Sequence, residues 1–177
     1  MPLPLMGHAM TRFTRRTLLV LASSGALLAA APAFAADTTI KVSLWDKGPD
    51  SVMMDDAHMK MMGKMQMDMA MATMGITLDK TSVPAGWVTF DATNDSKSIV
   101  HEMILSPLKG DQAELPYLVD ENRVDEEGSG YLGEVSELDG GKGGSLKVEL
   151  KPGKYIVYCN IPGHFVSGMW TVLTVTE

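Results

Sequence analysis

Apolar and polar positions alternate through most of the chain beyond its first 36 residues. Residues 39–45 show the pattern plainly, with Ile40, Val42 and Leu44 on one parity and Thr39, Lys41 and Ser43 on the other. A period of two marks a strand with one buried face. Residues 76–79, 87–93, 99–105, 132–135, 145–150, 155–159 and 169–175 also read as strands. Turn chemistry separates them at Pro84-Ala85-Gly86, Asn94-Asp95-Ser96, Asp139-Gly140-Gly141 and Lys151-Pro152-Gly153. Seven or eight short strands without a long helical period predict an all-β antiparallel sandwich.

Two stretches break the alternation. Residues 53–74 are crowded with Met and fall between the first two predicted strands. Residues 106–130 are rich in Asp and Glu, with a short helix predicted over 115–121. Neither has the makings of a second domain, and no internal repeat interrupts the chain.

The first 36 residues follow a different rule. Arg12, Arg15 and Arg16 precede an apolar run from Leu18 to Ala31, and no acid occurs before Asp37. Ala33-Phe34-Ala35 supplies a small-x-small cleavage pattern, so residues 1–35 read as a signal peptide. Thr14-Arg15-Arg16-Thr17-Leu18-Leu19 has the twin-arginine form, although paired arginines also occur in general secretion signals. Leu18–Ala36 is nearly long enough to anchor in a membrane, but Ser23, Ser24, Gly25 and Pro32 weaken that reading. The expected organisation is therefore a leader, 1–35, and one domain, 36–177, with a Met-rich insertion at 53–74. Cleavage makes this a bacterial periplasmic protein and not an integral membrane protein.

Charge narrows the partners. Removing three arginines and no acid moves the formal charge from −7 to −10 over the 142 residues left. A protein this acidic is a poor ligand for nucleic acid or an anionic membrane. Ten Asp or Glu fall between Asp111 and Asp139, a solvated surface or a docking face for a basic partner. The single Cys excludes a disulfide framework, a Cys-rich zinc module and a four-thiolate iron–sulfur cluster.

That Cys carries the candidate chemistry. Residues 158–170 read Tyr-Cys-Asn-Ile-Pro-Gly-His-Phe-Val-Ser-Gly-Met-Trp, which places Cys159, His164 and Met169 at C-x4-H-x4-M. On the strand 99–105, Ile99, His101, Met103 and Leu105 share one face, while Val100, Glu102 and Ile104 share the other. Tyr155, Val157 and Cys159 likewise share a face. Alone, His101 reads as a core histidine and Cys159 as an inert buried thiol. Together, one Cys, two His and one Met form the ligand set of a blue-copper site. Thiolate and thioether suit Cu(I), and imidazole and thiolate still hold Cu(II).

With these residues in view the chain resembles the cupredoxins, most closely the rusticyanin and sulfocyanin type with its C-x-I-P-G-H-x4-M loop. The likeness extends over Ser82-Val83-Pro84-Ala85-Gly86-Trp87-Val88-Thr89-Phe90, Val100-His101-Glu102, Lys151-Pro152-Gly153-Lys154-Tyr155 and the final loop. It implies a cupredoxin-like antiparallel Greek-key β-sandwich and one type 1 copper. His101, Cys159 and His164 are then the equatorial ligands and Met169 the axial one. Many members of the family carry Asn after the first His, where this chain has Glu102, and that puts the surroundings of the site in question. Ile161, Pro162, Phe165 and Val166 make the loop apolar, which favours Cu(I) and predicts a raised potential. An electron is expected to pass through His164 where this loop meets a redox partner protein.

Enzyme readings fare worse. Beyond the leader only His58, His101 and His164 occur, too few for a trinuclear copper cluster, and neither H-E-x-x-H nor a nucleophile elbow is present. The Met-rich segment adds a second possibility. Met61, Met65 and Met69 form one helical stripe, but Met59, Met67, Met71 and Met74 lie off it. With His58 and Met62, these thioethers suit secondary Cu(I) sites. The expected function is a blue-copper electron carrier; the alternative is a copper resistance or delivery protein that captures Cu(I) with this segment.

Overall fold

The computed structural model describes residues 37–48, 51, 72–109 and 115–177, all within one unit spanning Ala33–Glu177. Eleven strands occur among them: β1 (Thr38–Asp46), β2 (Met74–Leu78), β3 (Ser82–Pro84), β4 (Gly86–Asn94), β5 (His101–Pro107), β6 (Tyr117–Leu118), β7 (Arg123–Val124), β8 (Gly133–Leu138), β9 (Gly143–Leu150), β10 (Gly153–Tyr158) and β11 (Trp170–Thr176). They form a four-stranded sheet, β2-β1-β4-β9, a five-stranded sheet, β3-β11-β10-β5-β8, and a two-stranded ribbon, β6-β7. The two larger sheets pack as the expected Greek-key sandwich. Each also contains one parallel pairing, β1 with β4 and β11 with β3, beside its antiparallel ones.

The two sheets differ in how they meet water, and the sequence shows why. In β1 every second residue is buried, Ile40, Val42 and Leu44, so only one face of that strand enters the core. β5 and the end of β10 are buried on both parities. The runs Met103-Ile104-Leu105 and Tyr155-Ile156-Val157-Tyr158 suit strands covered on two sides, and β5 adds the buried polar residues His101, Glu102 and Ser106. Between the sheets lies one cluster, including Phe90, Met103, Leu105, Tyr155, Val157, Cys159 and Met169. Ile104, Ile156 and Tyr158 face a second cluster with Val124, Phe165 and Val166. Tyr155, Val157 and Cys159 thus share a face as alternation predicts.

Local details place the strand ends. A bulge between His101 and Met103 shifts β5 against β8. The loop leading into β5 is braced by buried Asn94. Its Nδ2 donates to the carbonyls of Ile99 (2.8 Å) and Leu138 (2.6 Å), and its Oδ1 accepts from the Ser96 N–H (2.9 Å). Buried hydroxyls of Ser106, Ser129 and Tyr158 lie 2.9 to 3.4 Å apart and tie the one-turn helix α1 (Glu126–Ser129) to β5 and β10.

Two expectations change. The predicted helix over 115–121 is instead β6 followed by a 3-10 turn at Val119–Glu121, and the α-helical turn comes later, in α1. Pro116 disfavours helical geometry at Leu115, and Asn122 takes a left-handed conformation that closes the ribbon. Met74, grouped above with the Met-rich segment, opens β2 and is fully buried in the core. His58, Met59, Met61, Met62, Met65, Met67 and Met69 lie outside the described residues. Among the described residues, no helix is long and apolar enough to cross a membrane.

Candidate metal centre

The donors come from three places on the five-stranded sheet. His101 opens β5, and Cys159 follows the last residue of β10, so adjacent antiparallel strands deliver them to the same end. His164 comes from the loop between β10 and β11. That loop is narrow: the Cys159 N–H donates to the Met169 carbonyl (3.0 Å), and the Met169 N–H donates to the His164 carbonyl (3.1 Å). Gly163 and Gly168, at φ +84° and +92°, make the turns that a side chain would strain. Met169 is fully buried at the loop's end.

One donor atom each from His101, Cys159 and His164 falls within 4.8 Å of the others. His164 Nδ1 lies 3.3 Å from Cys159 Sγ and 3.2 Å from His101 Nδ1. The three residues are 0, 0 and 2% exposed, so water has almost no access. Two imidazole nitrogens facing each other across 3.2 Å share at most one proton, and beside them lies a sulfur. This is a poor hydrogen-bond set but a good ligand set, and its composition fits copper.

Burial sets the protonation states. It pushes the Cys159 thiol up to about 12, although the N–H groups of Glu102 and Ile161 donate to the sulfur and work the other way. It also lowers His164, helped by the neighbouring His101, to about 4. His101 is lowered too, by burial working against its bond and attraction to Asp46. At neutral pH the site therefore offers two neutral imidazoles and a thiol whose proton a metal ion must displace.

The residues around the donors explain how Glu102 is accommodated. Its N–H points to Cys159 Sγ at 3.4 Å, while its carboxylate accepts from the Asn160 N–H at 3.0 Å. Asn160 in turn grips the β6-β7 ribbon. Its Oδ1 accepts from the Val124 N–H (2.7 Å), and its Nδ2 donates to the Val124 carbonyl (3.0 Å) and Glu126 Oε1 (2.8 Å). A bond from the Gly163 N–H to the Asn122 carbonyl (2.8 Å) makes a second tie. Phe165 and Val166 consequently turn inward, against Tyr158 and Val124. The exposed apolar side chains on the ribbon side are Leu118 and Val119, at 37 and 49%.

Glu102 also provides a stability test. Burial, and then repulsion from Glu126, Glu134 and Glu137, raise its carboxyl to about 7 against the bond from Asn160. A raised native pKa means that stability is full below the unfolded value near 4.5 and is lost as pH rises through 7. For Glu102→Gln, denaturant unfolding of the metal-free protein should show wild-type stability at pH 4.5 and a gain of about 3 kcal/mol at pH 8. An equal effect at both pH values would refute this origin.

All four residues expected to form the site therefore lie at one end of the sandwich. Asp46, whose carboxylate meets His101, and Asn160 were not expected there. Asp46 ends a strand before Lys47-Gly48 and resembles ordinary turn chemistry, whereas Asn160 directly follows the key Cys and could have been suspected.

Residues 65–177 match the family model of the sulfocyanin (SoxE) domain. No curated protein matches the chain. Similar solved structures include an auracyanin from Roseiflexus castenholzii at 18% identity, covering 81% of this chain and 99% of its own, with TM-score 0.48. Rusticyanin from Thiobacillus ferrooxidans shows 15% identity, coverage of 80 and 79%, and TM-score 0.49. Auracyanin A of Chloroflexus aurantiacus, described as a blue copper protein, shows 21% identity, coverage of 80 and 100%, and TM-score 0.47. The family match spans well over half the chain and takes in every residue of the donor set: the chain belongs to the sulfocyanin family of cupredoxins, blue-copper proteins with one type 1 copper that act in electron transfer.

Proposed function

We propose that this protein is a periplasmic single-electron carrier in which His101, Cys159, His164 and Met169 would hold copper. The observation that carries the reading is the convergence of three ligand atoms at a site almost closed to water. When bound, copper supplies the one-electron Cu(I)/Cu(II) couple. The chain's contribution is rigidity and exclusion. Cys159 and His101 are fixed by paired strands, and His164 by the bonded loop. A donor set held this way has little to rearrange when the charge at its centre changes. The inward-packed Phe165 and Val166 keep the surroundings apolar, which favours the lower charge state.

A redox partner docks at the His164 end. Because His164 is nearly buried, Leu118 and Val119 of the tethered ribbon supply the apolar surface met there. Asp120 and Glu121 beside them favour a basic partner, with association that weakens in salt. Export to the periplasm follows from the leader pattern in residues 1–35.

The test is to add one equivalent of Cu(II) and then cycle the protein with a reductant and an oxidant beside a Cu(I) chelator. An intense visible thiolate-to-copper band should appear, bleach with one electron and return, with copper content constant. A colourless product would end the reading. Loss of the metal to the chelator on reduction would favour delivery of copper over transfer of electrons.

A further inference from the structure

Asp46 is the last residue of β1 and pairs across the sheet with Met74. Its side chain is only 1% exposed. A carboxylate so enclosed is costly unless bonded on every side. Here its Oδ2 lies 2.9 Å from His101 Nε2, its Oδ1 accepts from the Gly48 N–H, and the Ser96 side chain adds a further bond. One oxygen is taken by the Gly48 N–H and the other faces the His101 ring, where a carboxylate accepts a hydrogen bond and has none to give. With Nε2 against this carboxylate, the His101 ring donates through Nε2–H, which leaves the Nδ1 lone pair facing His164 and Cys159.

We propose that Asp46 is a positioning residue for the copper site, fixing the tautomer and plane of His101 and lending its negative charge through the ring to favour Cu(II). Glu102, the acid next to His101 in sequence, does not do this, because its carboxylate is engaged by the Asn160 N–H. The site thus balances an apolar loop that favours Cu(I) against one enclosed carboxylate that opposes it. A carboxylate on the far nitrogen of a ligand histidine increases its donor strength, and losing such a partner typically costs about 10- to 100-fold in metal affinity.

The inference rests on His101 being a ligand, as proposed above, so its test has one arm without metal. Two variants separate orientation from charge. Asp46→Asn keeps an oxygen that can accept from Nε2–H and removes the charge; Asp46→Ala removes both. Nitrogen-15 shifts of the His101 ring in the metal-free protein should show the proton on Nε2 in wild type and Asp46→Asn, and mixed tautomers in Asp46→Ala. In the copper-loaded protein, Asp46→Asn should weaken Cu(II) about tenfold relative to Cu(I), which raises the potential by about 59 mV. Asp46→Ala should lose about 10- to 100-fold in Cu(II) affinity. A wild-type proton on Nδ1, or an unchanged Cu(II)/Cu(I) affinity ratio in Asp46→Asn, would overturn the proposal. If Asp46→Ala does not fold, Asp46→Asn decides alone. If wild type binds no copper, the electron-carrier reading fails, and the metal-free shifts still show whether Asp46 holds the tautomer.

Discussion

Cys159→Ser should give a folded protein that stays colourless on addition of Cu(II). The substitution replaces a sulfur by an oxygen of similar shape at a position with no solvent exposure. The Glu102 and Ile161 N–H groups that now point to the sulfur can donate to the hydroxyl instead. The folding cost should stay near 1 kcal/mol, that of a modest change in a buried hydrogen bond. The metal site loses far more. A serine hydroxyl does not ionise in the accessible pH range, and an oxygen ligand gives no intense visible thiolate band. Affinity should fall by more than about 100-fold, beyond the effect of an outer partner alone. Two neutral imidazoles and a thioether remain, a set better suited to Cu(I) than Cu(II). Absorption spectra and copper titration check the site, and circular dichroism melting checks the fold. Persistence of the visible band would remove Cys159 from the site.

How legible the site was depends on how local its parts are. Cys159, His164 and Met169 lie within eleven residues of one another, so their spacing announces a single loop. His101 is 58 residues before Cys159, yet strand alternation already set it in an apolar row, and the β5–β10 pairing brings it alongside. Asp46 is 55 residues before His101 and meets it because β1 lies in the opposite sheet with its end at the same edge. No local pattern encodes that contact. The large strands were equally legible, β1 through its period of two and the end of β10 through an unbroken apolar run. β3, β6 and β7 have two or three residues each, too few for any period to register, and their existence depends on the neighbours they pair with. The loop's apolar residues show a different limit. Hydrophobicity marked Phe165 and Val166 as notable, but whether they face a partner or the interior depends on the ribbon, which one-dimensional pattern reading took for a helix.

The ribbon's attachment gives the other large expected effect, through Asn160→Ala. Val124 is 1% exposed, so its N–H and carbonyl have little water to turn to when the Asn160 amide is removed. Glu126 Oε1 also loses a donor, at less cost because that residue is partly exposed. A buried group left unsatisfied costs about 1–3 kcal/mol, so two such groups and a weaker third predict a loss of about 4 kcal/mol. The damage should be directional. The ribbon would retain the Gly163-to-Asn122 bond and the Tyr117–Phe165 ring contact, at 6.2 Å between centroids, as its ties to the loop. Amide exchange should therefore accelerate across residues 117–126 more than in β4 or β10, which have their own sheet partners. Asn160→Asp makes the comparison sharper. It keeps an oxygen for the Val124 N–H, but loses the donor and sets a third carboxylate beside Glu102 and Glu126. Its loss should be comparable to that of Asn160→Ala at neutral pH and smaller in acid, where the introduced carboxyl takes up a proton. Both variants keep the four expected ligands, so the visible copper band should survive in each. Equal acceleration of exchange across both sheets would mean that Asn160 supports the sandwich as a whole and does not specifically fasten the ribbon over the copper loop.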